Sequence, residues 1–331
     1  MKILLGSHHF FPSTGGIETV TNLLGREFVE RGHEVRVVTE TAGDGTFPFH
    51  VVRQPGPFGL IREIQWCDLF LQNNISLRTL WPLLFIHRPV FVIHQTWITA
   101  ADGRVRWEHR LKRFVLRYTT SFAISRAIAD HVPRKTILIG NPYDDKTFTA
   151  DPQVSRDNEL IFVGRLVSDK GADLLLEALS LLNSKPKLTI AGDGPERASL
   201  EKQAAELGLR GQINFVGSQT SQQLAALFRR HELLVVPSKW SEPFGIVALE
   251  GIACGCVVVG SAAGGLPEAI GPCGVTVPNG NARALADAIS QLLANPGARA
   301  RLRQNTGAHL ERFTPRRVAE ACLEAMTSRS K

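Results

Sequence analysis

Glu242 and Glu250 are two acids in an otherwise largely apolar stretch, Pro237–Glu250, which reads PSKWSEPFGIVALE. A carboxylate in apolar surroundings is costly unless it meets a partner. The vicinal hydroxyls of a ribose or a hexose are suitable partners, because a carboxylate accepts two hydrogen bonds. Arg165 and Lys170 are two cations on one short loop, Gly164–Gly171 (GRLVSDKG). An arginine fork and a mobile lysine can converge on one anion. Held in place, they would stabilise the charge that builds on a departing diphosphate. Gly15 and Gly16 stand where a helix begins, and the free amides of a helix N-terminus favour an anion. Those of Phe244, Gly245, Ile246 and Val247 stand at the start of another.

Each feature also has a plainer reading. Gly15–Gly16 would serve as a turn that needs glycine for its φ angle. Arg165 and Lys170 would form a solvated basic loop. Gly192–Asp193–Gly194–Pro195 would be a tight turn leading into a helix. Glu242 would sit at the surface, and Glu250 would offset a helix dipole.

The elements that must position these residues follow from periodicity. Lys2–Leu5 is a short apolar strand, the loop Ser7–Gly16 follows, and Ile17–Arg31 has helical spacing ending at Gly32. Strands are expected at 34–39, 49–53, 69–72, 90–94, 121–124 and 136–139, with helices over 105–118 and 125–131. A polar stretch, 143–158, is expected to link two domains. A second series then alternates strands at 160–163, 187–191, 213–216, 233–236 and 257–260 with helices at 172–182, 196–207, 221–231 and 245–253. Helices over 282–293, 296–310 and 315–328 close the chain. This predicts an α/β protein of two Rossmann-like, doubly wound parallel-sheet domains, 1–150 and 155–312, facing a central cleft, with the last helix (315–331) packing back on the first domain. Ligands of such sheets bind at the carboxyl ends of the strands.

The 331 residues suffice for two cores, and the charged fraction of 21% excludes a disordered chain. The net charge is +7, and residues 1–150 hold 18 of the 38 Lys/Arg but only 13 of the 31 Asp/Glu. The excess therefore sits in the first half and favours anionic partners. The five cysteines include no C-x-x-C pair, so buried thiols in a reducing compartment are expected rather than disulfides or zinc. Neither a leader peptide nor a membrane span is read, which predicts a cytoplasmic protein. No D-x-D occurs, which agrees with a protein that needs no metal, and no cofactor is expected.

Taken in order, G-G-I-E at 15–18, G-R-L-x-x-D-K-G at 164–171, G-D-G-P at 192–195, F-V-G at 215–217 and E-P-F-G-I-V-A-L-E at 242–250 resemble the retaining glycosyltransferases of family 4. The resemblance covers nearly the whole chain and is strongest over 160–270. It implies the GT-B fold and transfer of a sugar from a nucleotide-diphosphate donor to an acceptor hydroxyl, with retention and without a metal. It implies that Glu250 binds the donor ribose, Glu242 a hydroxyl of the transferred sugar, and Arg165 and Lys170 the diphosphate. Gly15, Gly16 and Gly164 would lie near the phosphates, Phe244, Gly245, Ile246 and Val247 would give backbone contacts, and Gln219 would lie near the base. His94 would face the sugar. The acceptor, a carbohydrate or a lipid-linked glycan, would meet the N-terminal domain, as in cell-envelope polysaccharide, lipopolysaccharide or glycolipid synthesis. Asn141–Pro142–Tyr143–Asp144 departs from the family's N-G-V-D.

Rival readings are a retaining glycosidase using Glu242 and Glu250, a nucleotide-sugar epimerase, a nicotinamide-dependent dehydrogenase and a nucleic-acid-binding module. The dehydrogenase is disfavoured because G-x-G-x-x-G is missing, and the nucleic-acid binder because no aromatic–basic motif accompanies the charge. Residues 104–117 interleave Arg104, Arg106, Arg110, Lys112, Arg113 and Arg117 with Trp107, Leu111, Phe114 and Val115. Such a helix either rests on anionic lipid or is a domain helix with a solvated basic face.

Overall fold

A computed structural model describes residues 1–13, 15–99 and 106–329. The chain forms two compact units, Met1–Tyr143 with Phe313–Lys331, and Asp144–Arg312. The first holds strands β1 (Lys2–Ser7), β2 (Glu34–Thr39), β3 (His50–Arg53), β4 (Leu69–Asn73), β5 (Val90–His94), β6 (Thr120–Ala123) and β7 (Thr136–Leu138). Its helices are α1 (Gly16–Glu30), α2 (Pro57–Trp66), α3 (Leu77–Leu80), α4 (Trp107–Val115) and α5 (Arg126–His131). The second holds β8 (Asn158–Val163), β9 (Leu188–Ala191), β10 (Ile213–Gly217), β11 (His231–Val236), β12 (Val257–Ser261) and β13 (Gly274–Val277). Its helices are α6 (Ala172–Ser180), α7 (Arg197–Glu206), α8 (Ser221–Arg230), α9 (Ile246–Ala253), α10 (Leu266–Ile270), α11 (Ala282–Ala294), α12 (Pro296–Arg303) and α13 (Thr306–Leu310). The last helix, α14 (Pro315–Arg329), belongs to the first unit.

Both sheets are parallel. Their strand orders are β3-β2-β1-β4-β5-β6-β7 and β10-β9-β8-β11-β12-β13. Each sheet starts in the middle, runs to one edge and returns to the other side of its first strand. That reversal leaves a switch point between β1 and β4 in one unit and between β8 and β11 in the other, where loops diverge and a ligand can enter. The inner strands are buried on both faces, as in a covered parallel sheet, while the edge strands β3, β7, β10 and β13 are partly exposed. β12, for example, reads VVVGS and is buried throughout. The register sets Leu233 of β11 beside Leu160 of β8 and Val257 of β12. Leu160, Leu175, Leu188, Val235 and Ile289 then join one core between the sheet and α6 and α11.

The fold class expected from the periodicity is the one observed, two doubly wound parallel α/β units. Several local expectations change. α2, α3, α10 and β13 were not anticipated. His231, expected to end a helix, opens β11 and is 1% exposed. The helix expected over 296–310 is two helices. The stretch 143–158 has no regular structure before Asn158, but from Asp144 it belongs to the second unit. Phe148 anchors it there, buried against Phe228 with ring centroids 6.1 Å apart. α14 joins α1 through Arg31, which pairs with Glu320 at 3.3 Å. All five cysteines are buried free thiols. Among the described residues no helix is long and apolar enough to cross a membrane.

Candidate active site

The second unit brings its candidate residues together at its switch point. β8 ends at Val163 and β11 at Val236, and these neighbours deliver two loops side by side. The Lys170 ammonium meets Glu242 Oε1 at 2.6 Å. The Ser238 hydroxyl donates to that same oxygen at 2.7 Å. Glu242 is 7% exposed, so its charge is held by a cation and a hydroxyl rather than by water. With Oε1 used twice by the protein, Oε2 is the oxygen left for a ligand hydroxyl. Lys170 also stands over the Trp240 ring, 5.4 Å from its centroid.

The two loops are tied at the backbone as well. The Lys239 amide donates to the Asp169 carbonyl at 2.8 Å, and the Lys239 side chain pairs with Asp173. Gly171 lies between them with φ 72°, and an added Cβ would run into the Pro237 carbonyl oxygen. Glycine is required there by both conformation and space. On its other side the Glu242 carbonyl accepts from the Gly265 amide at 2.7 Å, which fixes Glu242 to the loop after β12.

α9 follows Gly245, whose φ is 101°. Of its first-turn amides, that of Ala248 donates to the Gly245 carbonyl at 2.9 Å. Those of Ile246 and Val247 have no acceptor among the described residues, as the start of a helix allows. Phe244 is buried in the core at 1% exposure, so only its backbone can serve a ligand. Glu250 lies on the second turn of α9, partly buried. Burial, and then the charge of Asp144, push its carboxyl up to about 7. Asp144 is the acid of the atypical Asn141–Asp144 stretch, and its carboxylate accepts the Lys146 and Thr147 amides at 3.2 Å.

Arg165 is exposed and makes no ion pair among the described residues. The arrangement thus differs from two cations converging on one anion. Lys170 is committed to Glu242, and Arg165 is the loop's cation without an ion pair among the described residues. Gly164 precedes it, and its carbonyl abuts Gly192, where an added Cβ would collide with that oxygen. Gly192–Pro195 is therefore a close-packed turn between the ends of β8 and β9. Gln219 donates to the Val216 carbonyl at 2.7 Å and braces the turn after β10.

The first unit holds the remaining candidates. Gly15 has φ 177°, extended backbone that any residue adopts, so the need for a special φ angle does not explain it. An added Cβ would lie 2.8 Å from Oε2 of the buried Glu18, the tip of a side chain rather than backbone. The first turn of α1, opened by Gly16, therefore carries its own carboxylate. His94 ends β5 with its ring fully buried, and Nε2 lies 3.1 Å from Ser121 Oγ. Burial, and then the charge of His131, lower its pKa to about 4, so the ring is neutral at pH 7. Its Nδ1 has no hydrogen-bond partner among the described residues. Thr14, Arg104 and Val105 lie outside the described residues.

Ser238, Trp240, Asp169, Asp173, Asp144 and the Gly264–Gly265 loop were not singled out from sequence. Ser238 had a faint signal, a hydroxyl four residues before Glu242 in the same segment. The others act across sheet neighbours, which a single sequence does not display.

Two doubly wound units, one with a buried acid–cation pair and an open helix N-terminus at its switch point, define a two-domain parallel α/β protein with a candidate ligand site in the second unit. Residues 144–309 match the family model "Glycosyl transferases group 1". A D-inositol 3-phosphate glycosyltransferase of Frankia alni is 32% identical over 283 residues, 75% of this chain and 69% of that protein. The chain belongs to the glycosyl transferases group 1 family. A protein of the same name from Mycobacteroides abscessus is 36% identical over 173 residues, half of this chain and 39% of its own length. The match thus spans well under half of that relative. Among solved structures, Anabaena HepE in complex with UDP covers 99% of this chain and all of its own, at TM-score 0.85 and 22% identity. The sucrose-phosphate synthase of Thermosynechococcus elongatus covers 99% of this chain and 98% of its own, at TM-score 0.82 and 24% identity. Both support the two-domain fold.

Proposed function

We propose that the chain is a retaining glycosyltransferase that moves a sugar from a nucleotide-diphosphate donor to an acceptor hydroxyl. The observation that carries this is Glu242, buried at the switch point and held on one oxygen by Lys170 and Ser238. That leaves one carboxylate oxygen to accept from a sugar hydroxyl, beside the open amides of Ile246 and Val247 that suit a diphosphate. Glu250 would take the ribose hydroxyls in its ionised form. Arg165, exposed and without an ion pair among the described residues, would meet the phosphates, with Gly164 allowing the approach. Gln219 would stand near the base. UDP is the nucleotide bound to Anabaena HepE, and the same base is the first to try here.

Chemistry would proceed by displacement on the face from which the nucleotide leaves. The departing phosphate oxygen takes the proton of the acceptor hydroxyl while that hydroxyl bonds to the anomeric carbon. Arg165 would stabilise the growing phosphate charge without a divalent ion, while Lys170 keeps Glu242 in place for the sugar hydroxyl. The acceptor would be a carbohydrate or a lipid-linked glycan of the cell envelope. A cytoplasmic place of work, on or near the inner face of the membrane, fits such a donor. The glycosidase alternative needs two facing carboxylates about 5 Å apart. Glu242 is instead paired with Lys170, and the acid that bears on Glu250 is Asp144.

The test is nucleotide release from UDP-, GDP-, ADP- and TDP-sugars with a panel of acceptors, set against hydrolysis of aryl glycosides. Release stimulated by an acceptor supports transfer. Aryl glycoside hydrolysis without nucleotide release would overturn it, and so would a trapped glycosyl–enzyme adduct for the displacement step.

A further inference from the structure

α4 has its apolar face on the wrong side for a domain helix. None of its residues is buried. Trp107 is 71% exposed, Leu111 42%, Phe114 49% and Tyr118, in the turn that follows, 74%. At 3.6 residues per turn these four positions fall within about 60° of arc. Phe114 and Tyr118 confirm the stripe, with ring centroids 5.8 Å apart. Leu116, which is fully buried, lies on the opposite side and anchors the segment to its unit. The aromatic stripe therefore points outward.

Beside it runs a second stripe with the same spacing, one residue earlier: Arg106, Arg110, Arg113 and Arg117. Three of these four arginines are exposed, and Arg113 is partly buried. Arg117 lies over the Phe114 ring at 5.6 Å, so the two stripes touch. Lys112 adds a fifth cation, and Glu108 is the one acid of the helix. An exposed aromatic stripe flanked by arginines matches a bilayer surface, with rings entering the acyl boundary and guanidinium groups staying among anionic headgroups. The charge excludes a zwitterionic surface as the preferred partner.

We infer that the first unit docks on anionic lipid bilayers through α4, with Trp107, Leu111, Phe114 and Tyr118 inserted and the exposed Arg106, Arg110 and Arg117 on the headgroups, while Arg113 turns toward the unit. This adds a partner to the transferase reading and uses no residue of the donor site.

The test is cosedimentation of the full chain with vesicles of phosphatidylcholine containing 30% phosphatidylglycerol, against pure phosphatidylcholine. Binding to the anionic vesicles is expected at low salt. It should fall steeply as salt is raised, because screening shortens the reach of the charges. Replacing Arg106, Arg110 and Arg117 by Gln should lower partitioning on the order of 100-fold. Trp107→Ala with Phe114→Ala should abolish the part of binding that resists salt. Both variants change exposed side chains, and a circular dichroism melt equal to wild type shows that they fold. Failure of wild type to bind anionic vesicles at low salt would overturn the inference. Equal binding by wild type and the Trp107→Ala, Phe114→Ala variant would do the same. A dimer in solution that these substitutions dissolve, without vesicle binding, would assign the stripe to a second copy instead. Thermal stabilisation by a nucleotide sugar, measured on the same variants without vesicles, reports on the donor site separately.

Discussion

Replacing Glu250 by Gln should make the ligand-free protein more stable at alkaline pH while weakening its grip on the donor. The carboxyl is pushed up to about 7 from an ordinary 4.5, chiefly by burial. A carboxyl with a raised folded-state pKa contributes stability fully below its unfolded value, and that contribution is lost as pH rises through the folded value. The ligand-free chain should therefore weaken between about pH 4.5 and 7 on account of this one group. A shift of about 2.5 corresponds to a ceiling of roughly 3 kcal/mol at 1.36 kcal/mol per unit. Glu250 keeps some contact with solvent, so about 1–3 kcal/mol is expected. Glutamine keeps the shape and never ionises. In urea unfolding at pH 8 the Gln variant should exceed wild type by that amount, and at pH 5 the gap should shrink to under about 1 kcal/mol. A gap that is absent at pH 8, or equal at both pH values, would refute the reasoning. The cost should appear in donor binding, because an amide offers one acceptor oxygen where the carboxylate offers two.

Ser238→Ala should lower turnover with little change in fold, since it frees the Glu242 oxygen to rotate; an unchanged kcat would show that the hydroxyl is not a positioning group. Lys170→Met should destabilise by about 1–3 kcal/mol by leaving Glu242 buried and unpaired, and adding Glu242→Gln should recover much of it, a coupling read by a double-mutant cycle in urea. Gly192→Val should destabilise the second unit by more than about 2 kcal/mol, since its Cβ meets the Gly164 carbonyl and φ is 146°; a melt equal to wild type would contradict the close packing there. Arg165→Ala should leave the melting temperature unchanged and reduce turnover, and wild-type activity in this variant would remove Arg165 from the site.

The strand–helix alternation was legible because parallel strands buried on both faces read as short apolar runs, such as VVVG at 257–260, between amphipathic helices. α2 escaped because Pro57 and Gly59 near its start resemble a loop, although proline in the first turn suits a helix. β13 reads GVTV directly after Gly271, Pro272 and Cys273, too short for periodicity to register. At the site, Glu242, Glu250, Lys170 and Arg165 stood out by chemical type. Their pairing did not, because Lys170 and Glu242 are 72 residues apart and meet only once β8 and β11 are neighbours. The same holds for Asp144, whose charge reaches Glu250 across the fold. On α4 the sequence displayed both stripes but left open which one faces the core. The burial of Leu116 opposite the aromatics decides that.

The central claim is that the second unit binds a nucleotide-diphosphate sugar through Glu242 and Glu250. The most direct measurement is calorimetric titration of wild type and Glu250→Ala with UDP-, GDP-, ADP- and TDP-glucose. At least one donor should bind wild type with one-to-one stoichiometry, and the Ala variant should bind it at least about tenfold more weakly, as loss of a charged hydrogen-bond acceptor implies. At 100 times its dissociation constant that donor should also stabilise wild type by about 2.7 kcal/mol. Binding of none of the four, or equal binding by wild type and Glu250→Ala, would contradict the account.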